Sequence, residues 1–479
     1  MLIHPILAAT LLAAAPTQAA TSQSPALATR LHGDWAGALR LEIPFRVILH
    51  LRGQAPELAG TVDFPDQNGN GLPLTEARLQ GEGFLFRLAP ASIRFDGHYD
   101  AQGDSIHGTF TQGEQRLALT LRRATGPGAH PPPRPQEPAP PLPYLVEEVR
   151  FAGGGAGVTL AGTVTLPQGS GPHPAVLLLP GSGPLDRNAV VAGHRPSLVL
   201  ADQLTRSGFA ALRFDKRGVS GSTGVFAAAG LTDFAADAEA ALTYLRTRPE
   251  VDPGRVLVLG HSEGALLAGM LLARVRGLAG GILLGAPAER GDSLMVSRAR
   301  ALLAARGVAD STLAKDASLR TGVFRAIERP GAPVEVRRSI REAVAEGLGR
   351  MTVAERAAVG YGEQEWESGA EVFLAQLPWF RQFLSLDPVE IYGKIEAPVL
   401  ALYGTLDQQV PAEPNADLVR RALSPLGRRA EIIVLPAINH QMQQARTGSP
   451  AEYGQISETI AAAVLGQIIA WARAATTGR

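Results

Sequence analysis

Hydrophobic and polar positions follow two different patterns along this chain of 479 residues. Between residues 30 and 125 they alternate over short segments, which Gly, Asp and Asn separate. That alternation predicts strands with one buried face, as in an antiparallel sheet. The Asn- and Gly-rich residues 66–71 predict a loop or a hairpin turn, because both residue types tolerate positive φ. The segments predicted as strands are RVILHLRG, FLFRLA, IRFDGHYD, IHGTFTQG and RLALTLRR.

We expect residues 28–125 to form a small antiparallel β barrel or sandwich. Their sequence shows no cluster of the residue types that carry catalysis. An accessory or packing domain is therefore favoured over a ligand-binding one, because function has to be argued from a site and no site is visible.

From residue 144 onward, continuous apolar runs alternate with amphipathic segments. Runs such as PAVLLLPG, RVLVLG and PVLALYG are typical of strands buried on both faces of a parallel sheet. Residues 196–208 and 231–248 have helical spacing, with Thr232 as the expected N-cap of the second, and a last helix is expected at 454–473. This alternation predicts an α/β fold, with a mostly parallel sheet and helices on both faces.

The interval 288–392 breaks the alternation, because it is long, charged and helical in pattern. We expect a helical cap with a small core of its own, folded over a pocket at the carboxyl ends of the strands. Aromatic residues gather near the end of the interval and are expected to fill that core and to line part of the pocket. They are Trp366, Phe373, Trp379, Phe380 and Phe383.

Two segments are expected to lie outside both domains. Half of the residues in the segment 126–143 are proline, and such a run predicts an extended, semi-rigid linker. Residues 1–20 resemble a secretory signal peptide, with a short Ala-rich apolar run and a cleavage site after Ala19. No Lys or Arg precedes that run, which is atypical, but we expect export to the periplasm or beyond.

Charge and cysteine content exclude several partners and chemistries. The 45 basic residues balance 45 acidic ones, so no basic field would attract nucleic acid or an anionic membrane surface. The absence of cysteine removes disulfides, thiolate metal sites and a cysteine nucleophile. No segment after the N-terminal run reaches the roughly 18 apolar residues of a membrane span. We expect no cofactor and no metal, and the oligomeric state stays open.

The candidate chemistry starts in VLVLGHSEGALLAG, residues 256–269, where an apolar strand runs into a predicted helix. Gly260 and Gly264 allow the sharp turn of a nucleophile elbow, which lifts the hydroxyl of Ser262 out of the sheet. The turn also places Ser262 at a helix N-terminus, where unpaired N–H groups favour developing negative charge. GxSxG alone is a weak pattern, but its position between a strand and a helix favours Ser262 as a nucleophile.

A serine nucleophile needs a base, and His440 is the only histidine after Ser262. It follows the last predicted strand, at the carboxyl edge of the sheet, where we expect it to act as the general base. Asp407, on the turn after the preceding strand, is expected to hold the imidazole in the correct tautomer. Other carboxylates are less well placed, because they lie in a helix pattern or before that strand: Glu413, Asp417 and Asp387.

Acyl transfer also needs hydrogen-bond donors for the oxyanion. One should be the backbone N–H of Glu263, the residue after the nucleophile. The other is expected to be the N–H of Ser182, because its flanking glycines let the backbone approach a substrate closely. The carboxylate of Glu263 is explained first by its place in the first turn of a helix. The other charged residues near the site are expected to form structural ion pairs: Asp186, Arg187, Asp215, Lys216 and Arg217.

Together, the motifs GHSEG, LPGSGPLDRN, LRFDKRGVSGS, YGTLDQQVP and the late NH resemble those of bacterial α/β-hydrolase carboxylesterases with a GSGP-type oxyanion loop. The chain order Ser262, Asp407, His440 is also that of α/β-hydrolases. The resemblance covers residues 145–479, and DWAG, DFPDQ and GTFTQG are similar to the accessory β domains of some members. Pro180 stands where an HG-type oxyanion loop has histidine, so that histidine's orienting role is absent.

The resemblance implies a serine hydrolase that cleaves a small-molecule carboxylic ester through an acyl-enzyme intermediate. Its relatives include serine aminopeptidases and thioesterases, so a peptidase or a thioesterase on the same fold is the alternative. A peptidase ranks second, because no anchor for a peptide's amino terminus is visible; a free amine bound by Glu263 would change that ranking. A non-catalytic binding protein would show a broken triad, whereas all three residue types are present. Acyl size, alcohol size and the natural substrate stay open.

Overall fold

The structure is a computed structural model that describes residues 25–54, 57–67, 69–80, 83–113, 115–124, 132–361 and 377–477. The expected signal peptide, the first part of the Pro-rich segment, and Trp366 and Phe373 lie outside the described residues. The chain divides into two compact units. The β unit is Met1–Arg134 with the short segments Val190–His194 and Tyr453–Ser457, and the α/β unit is the remainder.

The β unit is built on one antiparallel sheet of nine strands, in the order β4-β3-β2-β1-β9-β8-β7-β6-β5. Strands β3 and β5 contact each other although they lie towards opposite ends of that order, so the sheet curls around a single apolar core, as in a barrel. A short helix, α1 (Pro25–Leu31), precedes the strands. The strands are β1 (Gly33–Leu39), β2 (Phe45–Gln54), β3 (Glu57–Phe64), β4 (Gly69–Pro73), β5 (Glu76–Gln80), β6 (Gly83–Leu88), β7 (Ile93–Asp100), β8 (Ser105–Gln112) and β9 (Gln115–Arg123).

Alternation along the strands produces this core. In β2, Val47, Leu49 and Leu51 are buried and point inward, while the residues between them are more exposed or face the other side. The five segments predicted from alternation are strands β2 and β6–β9. Strands β1, β3, β4 and β5 were not predicted, because their glycines, prolines and charged residues interrupt the alternation.

The α/β unit contains an eight-stranded sheet in the order β10-β11-β13-β12-β14-β15-β16-β17. Strands β10 and β11 pair antiparallel with each other, and β11 pairs antiparallel with β13. The six strands from β13 to β17 in that order are parallel. The strands are β10 (Tyr144–Ala152), β11 (Thr159–Pro167), β12 (His173–Leu179), β13 (Ala210–Phe214), β14 (Val251–His261), β15 (Gly280–Leu284), β16 (Val399–Gly404) and β17 (Ala430–Leu435).

Helices cover both faces of this sheet, as β15 shows directly. A Cβ added to Gly280 would meet Trp471 of the last helix, whereas a Cβ added to Gly281 would meet Leu272. Because successive residues of a strand face opposite sides, these two helices lie on opposite faces. The helices around the sheet are α2 (Pro196–Arg206), α3 (Leu231–Thr247), α4 (Glu263–Arg274), α11 (Ala412–Ala422) and α12 (Ala462–Thr477).

A helical insertion separates β15 from β16, where the sequence predicted helices. Trp379 and Phe380 are buried in it and pack edge to face, with ring centroids 5.6 Å apart. Phe324 packs on Phe380 in the same way, so these aromatic rings form part of the insertion's own core. Its helices are α5 (Gly291–Ala305), α6 (Asp310–Glu328), α7 (Pro333–Gly349), α8 (Val353–Ala358), α9 (Pro378–Ser385) and α10 (Pro388–Tyr392).

Two predicted helix boundaries are wrong. Helix α3 begins at Leu231, so its N-cap is Gly230 and not Thr232; the Gly230 N–H donates to the side chain of Asp233 at 2.8 Å. The last helix begins at Ala462 and not at residue 454. The N–H groups of residues 459 and 460 donate to the side chain of Gln136 instead of to helical carbonyls. Within the described ranges, no helix is both long and apolar enough to cross a membrane.

Candidate active site

Ser262 occupies a strained turn between β14 and α4. Its backbone has φ 56° and ψ −121°, a conformation that residues other than glycine rarely adopt. A Cβ on Gly260 would lie 1.9 Å from the carbonyl oxygen of Gly264, and a Cβ on Gly264 would lie 2.1 Å from that of Leu179. Only glycine therefore fits at either position, which is why the strand can turn into the helix within one residue.

The turn is anchored to the neighbouring strand. The N–H of Ser262 donates to the carbonyl of Leu284, at the end of β15, at 2.8 Å. The carbonyl of Ser262 accepts from the N–H of Ala265 at 2.9 Å, within the first turn of α4. Glu263 is the first residue of that helix, and its N–H has no acceptor inside the helix. A reacting group on the Ser262 side chain would thus lie near the positive end of a helix dipole.

Asp407 and His440 are brought together at the carboxyl edge of the sheet. Asp407 follows β16 and His440 follows β17, and both residues are buried. The His440 Nδ1 lies 2.8 Å from the Asp407 Oδ2. The other carboxylate oxygen accepts from the N–H groups of Gln409 and Val410, each at 2.8 Å. A carboxylate oxygen is the acceptor in such a contact, so the Nδ1–H of His440 donates to Asp407, and Nε2 is the unprotonated nitrogen of the neutral ring.

His261 joins the serine turn to the histidine loop, a contact that the sequence analysis missed. Its Nε2 donates to the carbonyl oxygen of His440 at 2.7 Å, and the two rings lie 4.8 Å apart between centroids. Burial, and then the neighbouring His440, lower the pKa of His261 to about 4. The ring is therefore neutral at physiological pH. Its position directly before Ser262 was the only sequence signal for this role.

The predicted oxyanion loop lies beside the serine. A Cβ added to Gly181 would be 3.6 Å from the Cβ of Ser262, which is van der Waals contact, so this loop packs directly against the serine turn. Lys216 reaches the same place, with its Nζ 2.6 Å from the carbonyl oxygen of Gly181 and 2.7 Å from the Oε1 of Glu263. Lys216 and Glu263 are both buried. An ion pair of Lys216 was predicted from the sequence, but neither Glu263 as its partner nor its position beside the serine turn was predicted.

The neighbouring charged residues also bind partners in the loops and helices around them. Arg187 binds Asp215 through its backbone N–H at 2.7 Å and its guanidinium at 2.8 Å. The Arg217 guanidinium lies 2.6 Å from the Oδ2 of Asp237 on α3. The N–H of Asn188 donates to Asp186. These contacts hold the loops after β12 and β13 in place.

Two of the alternative carboxylates, Asp387 and Asp417, have other partners. Asp387 caps α10 by accepting from the N–H of Val389 at 3.0 Å. Asp417 pairs with Arg420 on the exposed side of α11. Neither group is paired with His440, whose Nδ1 faces Asp407.

Buried hydroxyl and amide groups fix the segment that follows β15. Tyr403 donates to the carbonyl of Ala286 at 2.9 Å. Asn415 accepts from the N–H groups of Ala288 and Glu289 at 2.7 and 3.0 Å. Burial raises the pKa of Tyr403 well above its usual value, so its hydroxyl stays a donor. These hydrogen bonds thus hold residues 286–289, which follow β15, in place beside the strand that leads to Ser262.

The fold and the site define the class of protein. Residues 176–451 match the alpha/beta hydrolase family, which is more than half of the chain, and the chain belongs to this family. Esterase EstD of Thermotoga maritima is 27% identical over 296 residues, which are 61% of this chain and 61% of that enzyme. The chain therefore spans about three fifths of the length of this curated relative.

Solved structures are also similar. An esterase of Pyrococcus furiosus is 17% identical, with a TM-score of 0.42, and the match covers 70% of this chain and 92% of that one. The proline iminopeptidase of Mycobacterium smegmatis is 16% identical, with a TM-score of 0.39, and the match covers 69% of this chain and 99% of that one.

Proposed function

We propose that this protein is a serine esterase that hydrolyses small carboxylic esters through an acyl-enzyme intermediate. The observation that carries the proposal is the buried Asp407–His440 pair, linked to the Ser262 turn through His261. Acyl transfer by a serine requires a nucleophile, a base and a carboxylate that orients the base. The strained Ser262, the ring of His440 and the buried Asp407 are proposed to fill these three roles. The similarity to an enzyme named as an esterase supports the choice of ester.

In the proposed reaction, the hydroxyl oxygen of Ser262 attacks the acyl carbon while the Nε2 of His440 takes its proton. The tetrahedral intermediate collapses, the ester C–O bond breaks, and the imidazolium returns the proton to the leaving alcohol. A water molecule then repeats the sequence on the acyl-enzyme and releases the carboxylic acid. Asp407 stays ionised and stabilises the imidazolium throughout. The N–H groups of Ser182 and Glu263 are proposed to bind the oxyanion.

The state of Glu263 favours an ester over a peptide with a free amino terminus. Its carboxylate is bound by Lys216 and is buried, so it is not available to anchor a substrate amine. A thioester would react through the same groups. Comparing an oxygen ester with the thioester of the same acyl chain separates these two substrate classes.

The test is hydrolysis of p-nitrophenyl esters with two to twelve acyl carbons by the wild type and Ser262→Ala. We expect turnover of the shorter esters and a loss of at least about a thousandfold in the variant. Ser207→Ala is the matched control, because Ser207 precedes β13 and lies at the opposite edge of the sheet; it should keep wild-type activity. The rate should rise with pH through the neutral range, where histidine loses its proton.

The possible outcomes separate the alternatives. No turnover of any ester by the wild type would refute the esterase assignment, and thioesters and aminoacyl amides would be the next substrates. Equal turnover by the wild type and Ser262→Ala would show that Ser262 is not the nucleophile. A rate that stays flat from pH 5 to pH 9 would contradict a histidine base.

A further inference from the structure

Lys216 is buried between the loop after β12 and the start of α4, the two segments that carry the expected oxyanion donors. It follows β13, and its ammonium contacts the carbonyl oxygen of Gly181 at 2.6 Å and the Glu263 carboxylate at 2.7 Å. The ring of Phe234 lies 5.1 Å from the same nitrogen and closes that side. Only about 4% of the Lys216 side chain and 5% of the Glu263 side chain are exposed. The pair is therefore buried, unlike an ordinary ion pair at the protein surface.

The first contact controls the direction of a peptide group. The carbonyl of Gly181 and the N–H of Ser182 belong to one peptide unit, and in a trans peptide these two bonds point in opposite directions. A donor that holds the Gly181 oxygen therefore aims the Ser182 N–H the other way. The positively charged ammonium that donates to this oxygen also polarises the peptide group, which makes the Ser182 N–H a stronger donor.

The second contact controls the other donor. Glu263 is the first residue of α4, and its side chain is held by the ammonium while its own N–H is the expected second donor. One nitrogen atom therefore ties the loop after β12 to the start of α4. Burying an ion pair commonly adds little to stability, because desolvation offsets the attraction. A role in geometry accounts for the position better than a role in stability.

We propose that Lys216 is a positioning residue for the oxyanion hole, which aligns the N–H groups of Ser182 and Glu263 without contacting the substrate. The proposal rests on the proposed function. It requires that losing Lys216 slows the step in which the oxyanion forms and leaves ester binding nearly unchanged.

The test compares Glu263→Gln with the double variant Lys216→Met/Glu263→Gln. The single variant keeps the Lys216 donor to Gly181 but removes the carboxylate beside the ammonium, so we expect its kcat to lie between those of the wild type and the double variant. The double variant removes both charges together, so no unpaired charge is left buried. We expect its kcat to fall about a hundredfold with KM within about threefold, as for the loss of one oxyanion donor.

A sulfur-substituted substrate distinguishes positioning from general damage. In a thionoester the carbonyl oxygen is replaced by sulfur, which is a weak acceptor. The wild type should therefore favour the ester strongly, and the ester-to-thionoester rate ratio should fall about tenfold in the double variant. Arg217→Met/Asp237→Asn is the matched control, because it removes a buried ion pair at the adjacent residue that faces α3. This control variant should keep the wild-type ester-to-thionoester rate ratio, whatever its melting temperature.

A second double variant tests the proposal if Lys216→Met/Glu263→Gln does not fold. In Lys216→Gln/Glu263→Gln the two amides can bond each other, but glutamine is one bond shorter than lysine and falls short of the Gly181 oxygen. The ratio should fall in this variant too. A wild-type ratio in either folded double variant overturns the proposal, and so does an equal fall in Glu263→Gln alone.

Labelling of Ser262 by a fluorophosphonate separates this proposal from the esterase assignment, because the phosphoryl oxygen also occupies the oxyanion hole. If the wild type is labelled but cleaves no ester, the esterase assignment fails. The labelling rates then replace kcat, and a hundredfold fall in the double variant still supports Lys216 as a positioning residue. If the wild type neither cleaves esters nor is labelled, both proposals are overturned.

Discussion

His261 gives the protein a defined dependence of stability on pH. Burial and the neighbouring His440 lower the pKa of His261 to about 4, whereas a histidine in the unfolded chain has a pKa near 6.5. Between these two values the unfolded state binds a proton that the folded state does not. Stability is therefore lost as the pH falls below about 6.5, and the loss is complete below about 4.

The size of the effect follows from that difference. A pH of 5 is about one and a half units below the pKa of the unfolded histidine. At about 1.36 kcal/mol per unit, the free energy of unfolding at pH 5 is therefore about 2 kcal/mol lower than at pH 8. His261 as a whole residue is half-buried rather than fully buried, and the remaining solvent reduces the effect, so we expect a measured share of about 1–2 kcal/mol. His261→Gln removes the titration and keeps a side-chain N–H directed at the His440 carbonyl.

The measurement is urea unfolding of the wild type and His261→Gln at pH 8 and pH 5. The loss in free energy of unfolding between the two pH values should be about 1–2 kcal/mol smaller in the variant. Comparing differences removes any cost of the substitution that does not depend on pH. His173→Gln, at the start of β12, controls for the loss of a histidine as such. Equal losses in the wild type and His261→Gln would refute the reasoning.

Two further predictions concern the triad and the serine turn. Asp407→Asn should lower kcat by about ten thousandfold with little change in KM, because an amide cannot hold the Nδ1–H tautomer of His440; steady-state kinetics yielding a kcat within tenfold of the wild type would count against a triad. Gly264→Ala should lower the free energy of unfolding by about 1–3 kcal/mol and impair activity, because the new Cβ would lie 2.1 Å from a backbone oxygen. Gly466→Ala in α12 is its control, since a Cβ there meets nothing within 4 Å, and thermal melting should show unchanged or slightly higher stability.

Much of the α/β unit was predictable because strands buried on both faces are continuous apolar runs. Each run ends in a short polar turn, and in a parallel sheet those turns share one edge. That is why Ser262, Asp407 and His440 could be selected from their positions after three different strands. In the β unit, alternation revealed five strands, whereas β4, with the sequence GNGLP, carries too few apolar side chains to reveal a strand. Strand β4 is instead held by its backbone pairing with β3.

The sequence by itself determined the alternation of strands and helices in the α/β unit, the glycines of the serine turn and the residue types available for catalysis. It did so because backbone conformation and burial leave a local pattern in neighbouring residues. Only the tertiary structure decided which charged groups meet. Lys216 lies 47 positions from Glu263 and 35 from Gly181, and His261 lies 179 from His440, yet all these groups bond directly. Pairing between side chains on different strands has no local period, because the packing of the sheet sets their distance.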